Sequence, residues 1–347
     1  MNFELTEERQ MLQDSLRRYL AGASGDVWAG LADLGVIGAL FPEEKGGYGG
    51  AGFDLAVVFE ELGRADLDVP LIDNALLPGL LMTAAGQDVE PLIAGGQKIA
   101  VAHGETAARY DLNWVETRAD GDLLTGEKCV VVGGEAADVL IVSARHSGTA
   151  DVQDGIGLWL VERDAPGLRL QGYEIAQGGR AAEVSLTDTP GTPLMTEGYA
   201  AIVQAMAAAT LAEMAQTLGA MDVAVAMTQE YLTTRKQFGR PIGSFQALSH
   251  RLVDVMVAVE QARSMVILAA AHLEAEEPVR GRHISAAKNL IGRSGRLVAE
   301  ECIQMHGGIG MTEEYALGRY AKRIVMADHR FGDTDHHLEQ FIALGAA

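Results

Sequence analysis

Cysteine is almost absent: Cys129 and Cys302 are the only two in 347 residues. They lie far apart in apolar surroundings, which excludes a disulfide framework and a CxxC zinc site and predicts two buried free thiols. Positive charge is scarce as well. Against 48 aspartates and glutamates stand 27 lysines and arginines, for a formal net charge of -21. Such a surface repels phosphate backbones and argues against a nucleic-acid partner, so a negatively charged ligand needs a local basic pocket. No apolar run approaches bilayer length, since stretches such as "VAVAMTQEYL" are broken by polar residues. The start, "MNFELTEERQ", is acidic where a signal peptide would be basic, and the chain reads as cytoplasmic with no membrane insertion. No GxSxG nucleophile motif accompanies His306, which is expected to be a packed or hydrogen-bonded histidine.

What is present is enough apolar sequence for a sizeable core: 48% of residues are hydrophobic and only 22% charged, which excludes wholesale disorder and allows two or three subdomains. In "LTEERQMLQDSLRRYL", Leu5, Met11, Leu12, Leu16 and Leu20 recur at helical spacing, a stronger sign than the Thr6 cap, which is followed by Arg9 rather than Glu. Helical patterns follow in "WAGLADLGVIGALF", "FDLAVVFEELGRA" and "NALLPGLLMTAA". The glycine-rich "GGYGGAG" follows no strand, lacks the context of a phosphate fingerprint, and is expected to be a mobile connection.

Near residue 97 the texture changes. Short β-rich runs, "KIAVAHG", "KCVVVGG", "DVLIVSA", "GLWLVER" and "AAEVSLTD", are spaced by Gly, Asp and Pro as in an antiparallel barrel or sandwich. Beyond "TPGTPLMTEG" the sequence turns helical again, with Leu248, Leu252, Val255, Val259, Ala262 and Val266 in a stripe typical of a long bundle helix. The expected fold class is therefore α+β, with a helical domain over 1–96, a β domain over 97–194 and a helical bundle over 195–347. Without strand and helix alternation, a parallel dinucleotide-binding sheet is not expected.

One joint breaks the acidic pattern. "TRKQFGRPIGSFQ" gathers Arg235, Lys236 and Arg240 around Phe238, Gly239 and Pro241. The string R-x-x-F-G-x-x-I-x-x-F-Q, the downstream "QMHGGIGMTEEYALGRYAKRI" and the early "GVIGALFPEEKGGYGGAGFDLAVVFEELGRAD" together resemble the acyl-CoA dehydrogenase family over nearly the whole chain. The resemblance implies that family's fold, ending in a four-helix bundle, and implies FAD lying across a subunit interface. One chain's middle domain would carry the ring, and the neighbour's C-terminal helices the pyrophosphate and adenosine. Arg235 matches the pyrophosphate contact, a task that suits a rigid guanidinium fork. Gln237, Phe238, Ile242, Gln246, Gln304, Gly307, Gly308 and, with a one-residue shift, Thr334 match other cofactor positions. The resemblance further implies an acyl-CoA substrate and electron-transfer flavoprotein as acceptor.

The same comparison finds gaps. The family reaction needs a glutamate base within reach of the α proton. Its usual position falls on Phe331, or on Gly332 after the one-residue shift, and the alternative position on an earlier helix falls on Ala209, with Thr210 where the family usually has an arginine. The ring-binding T-E-P-x-x-G-S-D loop is replaced near "VAHGETAARYDL", and the W-x-T strand reads Val130, Val131, Val132. This selective loss is the pattern expected of the non-catalytic subunit of an α2β2 acyl-CoA dehydrogenase, an assembly known for steroid side chains and other bulky substrates. Two alternatives compete. A self-sufficient homo-oligomer would need a displaced base, Glu213 one turn from Ala209 or Asp333 beside the other vacancy, and a turn is about 5 Å. A metal-binding protein would use Asp328, His329, Asp333, Asp335, His336 and His337 of "DHRFGDTDHH", although Asp333 and Asp335 also suit a helix N-terminus.

Overall fold

The structure is a computed structural model and describes residues 5–312 and 314–345, so the first four residues of the acidic start lie outside the described residues. Helix α1 (Glu7–Leu20) begins at Thr6, whose hydroxyl accepts the Arg9 N–H at 3.3 Å; the cap forms without a glutamate at Arg9. Glu7 and Glu8 occupy its first turn and Arg17 and Arg18 its last, each sign at the helix end that favours it. Only Leu16 of its apolar residues is fully buried, and Met11 is 70% exposed. "WAGLADLGVIGALF" resolves into a short α2 (Val27–Asp33) and turns, because Gly35 takes a left-handed φ of +80°. Then come α3 (Gly52–Arg64), α4 (Leu77–Ala84) and α5 (Glu90–Ile93).

The glycine-rich connection is not loose. Tyr48 N–H donates to Gly38 O, Gly49 N–H to Phe41 O and Gly50 N–H to Ala39 O, while the Tyr48 hydroxyl reaches Gly35 O at 2.9 Å. A Cβ at Gly47 or Gly49 would collide with these same carbonyls, so the glycines serve close backbone approach rather than mobility.

Eight strands make one sheet: β1 (Ile99–Ala102), β2 (Arg118–Asp120), β3 (Leu123–Val132), β4 (Val139–Arg145), β5 (Ile156–Glu162), β6 (Leu168–Glu174), β7 (Arg180–Pro190) and β8 (Thr192–Met195). The order is β6-β7-β3-β2-β4-β5-β8, with β1 also beside β4. β4 pairs in parallel with β1 and β2, so the sheet is mixed where an antiparallel one was expected. The chain leaves β1 and returns to β4 only after the β2–β3 hairpin, and that crossover permits parallel pairing. Every residue of β4 is buried, including Arg145.

After the sheet come α6 (Tyr199–Thr234), a hairpin of β9 (Lys236–Gln237) and β10 (Arg240–Pro241), α7 (Gln246–Ala271), α8 (Glu277–His306), α9 (Leu317–Ala327) and α10 (Thr334–Gly345). The expected stripe on α7 is real: Val255, Val259, Ala262 and Val266 are buried, with Leu248 and Leu252 partly so. The helical, β, helical order is the one that the family resemblance implies.

Compactness divides the chain into two units. One holds α1, Ala51–Leu67 and everything from Thr210 onward. In it α3 meets α6 backbone to backbone: a Cβ at Gly63 would strike the Gln216 carbonyl, and one at Gly219 the Glu60 carbonyl. An ionic network surrounds this crossing. Arg17 chelates Glu61, Arg64 joins Glu60 and Asp222, and Arg263 forks onto Asp222 at 2.7 and 2.8 Å while reaching Glu60 at 3.0 Å. Helices α1, α3, α6 and α7 are thereby fixed together.

The other unit comprises Ser24–Gly50 and Asp68–Ala209. Its sheet core packs Leu124, Leu140, Val142, Trp159, Val184 and Leu186. Two buried cations interrupt it. Arg145 donates to the carbonyls of Asn113, Val115, Ser147, Ala150, Val152 and Asp154, knitting the surrounding loops. Lys128 donates to Glu105 at 2.7 Å, Ser143 at 3.0 Å and the His103 carbonyl at 3.3 Å.

Candidate functional site

The cationic joint is a β-hairpin whose two-residue turn, Phe238 and Gly239, has φ of +54° and +80°. Tight hairpins call for positive φ at both central residues, and glycine or asparagine takes it without cost. Phe238 is neither, and its ring is 89% exposed, so the chain bears backbone strain to hold an aromatic out in water. Behind it Phe245 stands edge-on at 6.0 Å, and the Arg240 guanidinium stacks 4.1 Å over the Phe245 ring. Arg235, Lys236, Gln237 and Gln246 are exposed, and Ile242 is half-buried. Among the described residues no carboxylate pairs with Arg235, Lys236 or Arg240. This cradle of cations and an aromatic suits a pyrophosphate and an adenosine.

A second segment is drawn to the root of the hairpin. The His306 ring stacks on Tyr231 with centroids 4.5 Å apart, and the Tyr231 carbonyl accepts the Arg235 N–H. His306 Nδ1 donates to the Cys302 carbonyl at 2.8 Å, which leaves Nε2 to accept from the Tyr315 hydroxyl at 3.2 Å. Burial holds this imidazole below its usual pKa. It is the packed histidine expected, and it brings exposed Gln304, Gly307 and Gly308 to the same end of α8. Gly307 has φ of +66° and ψ of -146°, open to glycine alone. Thr334 is held elsewhere, as the first residue of α10, where its hydroxyl donates to Asp328 at 2.8 Å.

Neither base position carries a base. Ala209 is fully buried on α6, beside buried Thr210. Phe331, at φ +56°, and Gly332, at φ +102°, form the turn between α9 and α10. That turn is locked by α8: Lys288 donates to the carbonyls of Ala327 and Asp328, and Asn289 to that of Thr334. His337 Nε2 donates to the Phe331 carbonyl at 2.9 Å, its Nδ1 lying 3.2 Å from the Ser285 hydroxyl. A Cβ at Gly332 would strike His336 and His337. Burial lowers Lys288 to about 8 and His337 to about 4. Both fallback carboxylates are engaged: Glu213 pairs with Arg330 at 2.8 Å, and Asp333 accepts the His336 N–H at the start of α10.

The stretch aligned with the ring-facing strand is irregular. The β3–β7 register slips between Lys128 and Val131, leaving Cys129 and Val130 opposite Glu183. Cys129 is consequently half-exposed rather than buried, whereas Cys302 is buried and its thiol pushed up to about 11 by burial. Val130 has φ of +51° and is 57% exposed, Val131 is buried and Val132 half-buried. Val130, Val131 and Val132 themselves offer no indole or hydroxyl to an isoalloxazine ring, in contrast to the cations that the hairpin offers to a pyrophosphate.

The Glu105 to Lys128 pair went unread in the sequence, although Lys128 falls on the inward alternation of β3 two steps from Leu124. Glu105 lies in the stretch that replaces the family's ring-binding loop. It accepts from the N–H groups of Glu116 and Thr117, the Thr117 hydroxyl and Lys128, so it closes that loop inward. Burial lowers Lys128 to about 8 and His103 to about 3. Among the described residues no three His, Cys, Asp or Glu side chains converge as a metal site, and no helix is long and apolar enough to cross a membrane.

Known proteins share this architecture. Sequence models of the acyl-CoA dehydrogenase N-terminal and C-terminal domains match residues 6–87 and 196–343. The chain is similar to the probable acyl-CoA dehydrogenase YngJ of Bacillus subtilis, at 28% identity over 92% of this chain and 93% of that one. It is 30% identical to acyl-CoA dehydrogenase IpdE2 of Mycobacterium tuberculosis over 91% of each. Among solved structures it resembles the Tcur3481-Tcur3483 steroid ACAD variant, with TM-score 0.86 and 28% identity over 98% of each chain. It also resembles a chain of the ChsE4-ChsE5 complex from Mycobacterium tuberculosis, with TM-score 0.86 and 25% identity over 100% of this chain and 99% of that one.

Proposed function

Because the chain belongs to the acyl-CoA dehydrogenase family, we propose that it is the non-catalytic subunit of a flavin-dependent acyl-CoA dehydrogenase. In this reading it grips the pyrophosphate and adenosine of FAD for a catalytic partner in an α2β2 assembly. The observation that carries the reading is Phe238, held exposed on a strained turn between Arg235 and Arg240. Strain and exposure of this kind persist where a bound group rewards them.

Arg235 would hold the pyrophosphate through its guanidinium, Phe238 would pack beside the nucleotide, and Gly307 and Gly308 would let the main chain come close. Bound FAD supplies the acceptor for the β hydrogen of an acyl-CoA thioester, and electron-transfer flavoprotein is the proposed next acceptor. The base for the α proton comes from the partner, since Ala209, Phe331 and Gly332 cannot accept a proton. The likeness to a steroid ACAD and to the two-component ChsE4-ChsE5 complex supports both the paired assembly and a bulky acyl group.

The test is the flavin-to-chain ratio on a sizing column, for the chain alone and for the chain produced with a dehydrogenase-like neighbour. The reading expects little flavin in the lone chain and about one flavin per two chains in the complex. A lone chain carrying stoichiometric flavin and dehydrogenating an acyl-CoA would overturn it.

A further inference from the structure

The bulge in β3 holds a carboxylate for which the proposed function has no use. Glu183 on β7 faces the two bulged residues, Cys129 and Val130. Its Oε1 accepts the Tyr173 hydroxyl at 2.6 Å and lies 3.5 Å, a long contact, from the Val130 N–H. Burial, then the hydrogen bond to Glu183, pushes the Tyr173 phenol up to about 12. Its proton therefore stays on the phenol and aimed at the carboxylate over the whole neutral range.

We infer that Glu183 closes this stretch to an isoalloxazine ring, so that the β domain excludes flavin while the hairpin at 235–241 stays open to the pyrophosphate half. The inference rests on the proposed function and on Val130 to Val132 being the ring-facing stretch that the family resemblance implies. Most of a flavin's polar edge accepts hydrogen bonds: N1, O2, O4 and N5 all need donors, and only N3–H gives one. An ionised carboxylate accepts only. The Tyr173 proton is already spent on it, the Val130 N–H faces the same oxygen, and the Cys129 N–H is taken by the Gly104 carbonyl at 2.9 Å. Seating the ring would bury acceptors against an acceptor and leave them unpaired, which costs free energy for each group.

Half-ligands separate the two claims. ADP carries the pyrophosphate and adenosine without the ring, and riboflavin carries the ring without either. Binding of each to the full-length chain is followed by calorimetry for ADP and by fluorescence anisotropy for riboflavin. The wild-type chain is expected to bind ADP and to bind riboflavin at least tenfold more weakly than Glu183→Gln, which keeps the shape and adds an N–H donor. Tyr173→Phe, which leaves the carboxylate in place, should bring no gain. Glu183→Thr provides a second release of the carboxylate should the glutamine variant fail to fold. Riboflavin binding by the wild type that equals that of the released variants overturns the inference, as does no gain in either of them. Failure of ADP to bind would overturn the pyrophosphate grip and leave the riboflavin comparison standing.

Discussion

Glu213 on α6 and Arg330 beyond α9 form an ion pair at 2.8 Å, with 11% and 16% of their side chains exposed. The carboxylate closest in sequence to the vacant α6 base position is thus already matched by a guanidinium and turned toward it. A base must be free to take a proton at the substrate, and this one is committed to holding a turn.

Glu213→Gln should accordingly leave the turnover of the assembled enzyme within about twofold, as expected for a side chain outside the transition state. Arg330→Met should strand the buried carboxylate and lower unfolding free energy by about 3 kcal/mol, the scale for breaking a buried pair. Steady-state kinetics and urea unfolding of the two variants check this, and a 100-fold loss of kcat in Glu213→Gln would restore the displaced base.

Arg235→Ala should strip flavin from the complex on gel filtration and weaken ADP binding by about 10- to 100-fold, the loss of one charge-assisted bidentate contact. Arg235→Lys should recover only part of it, because an ammonium does not span two phosphate oxygens as a planar fork does.

Asp222→Ala removes the anion shared by Arg64 and Arg263. The site is neither exposed nor dry, so the cost should fall at roughly 2 kcal/mol, between the surface and buried limits. Thermal unfolding should show the drop, with ADP binding unchanged.

Acid should destabilise the chain through its neutral imidazoles. His337 titrates at about 4 in the folded chain because of burial, against about 6.5 unfolded. Below pH 6.5 the unfolded state gains a proton that the folded state refuses until pH 4, so stability falls across that window and is untouched by this group above it. His103, lowered to about 3 by burial and Lys128, acts in the same direction. Unfolding free energies from urea titration at pH 7 and 4.5 should differ by about 2 kcal/mol from His337 alone, and His337→Gln should reduce the difference by that amount.

Local signals carried most of what the sequence disclosed. The cationic joint was legible because Arg235, Phe238, Ile242 and Gln246 lie within one short string, although its β-hairpin was not, and the α7 stripe because helical periodicity is a property of neighbours. The polar core was not. Glu105 meets Lys128 across the sheet, and Arg145 meets six carbonyls on two loops, so both depend on a pairing that periodicity does not encode. The short strands β2 and β8 escaped for the same reason, being strands only by virtue of their partners. The bulge that exposes Cys129 is a one-residue slip between strands far apart in sequence.

Phe238 has a consequence for life in the cell. In the assembly proposed above, a chain that emerges ahead of its partner carries a large bare aromatic at the tip of a hairpin, and such spots are where proteins stick to the wrong neighbours. Under that proposal, production of the two chains has to be matched in amount and in time, and an unpaired surplus of this one would be cleared or lost to clumping rather than stored.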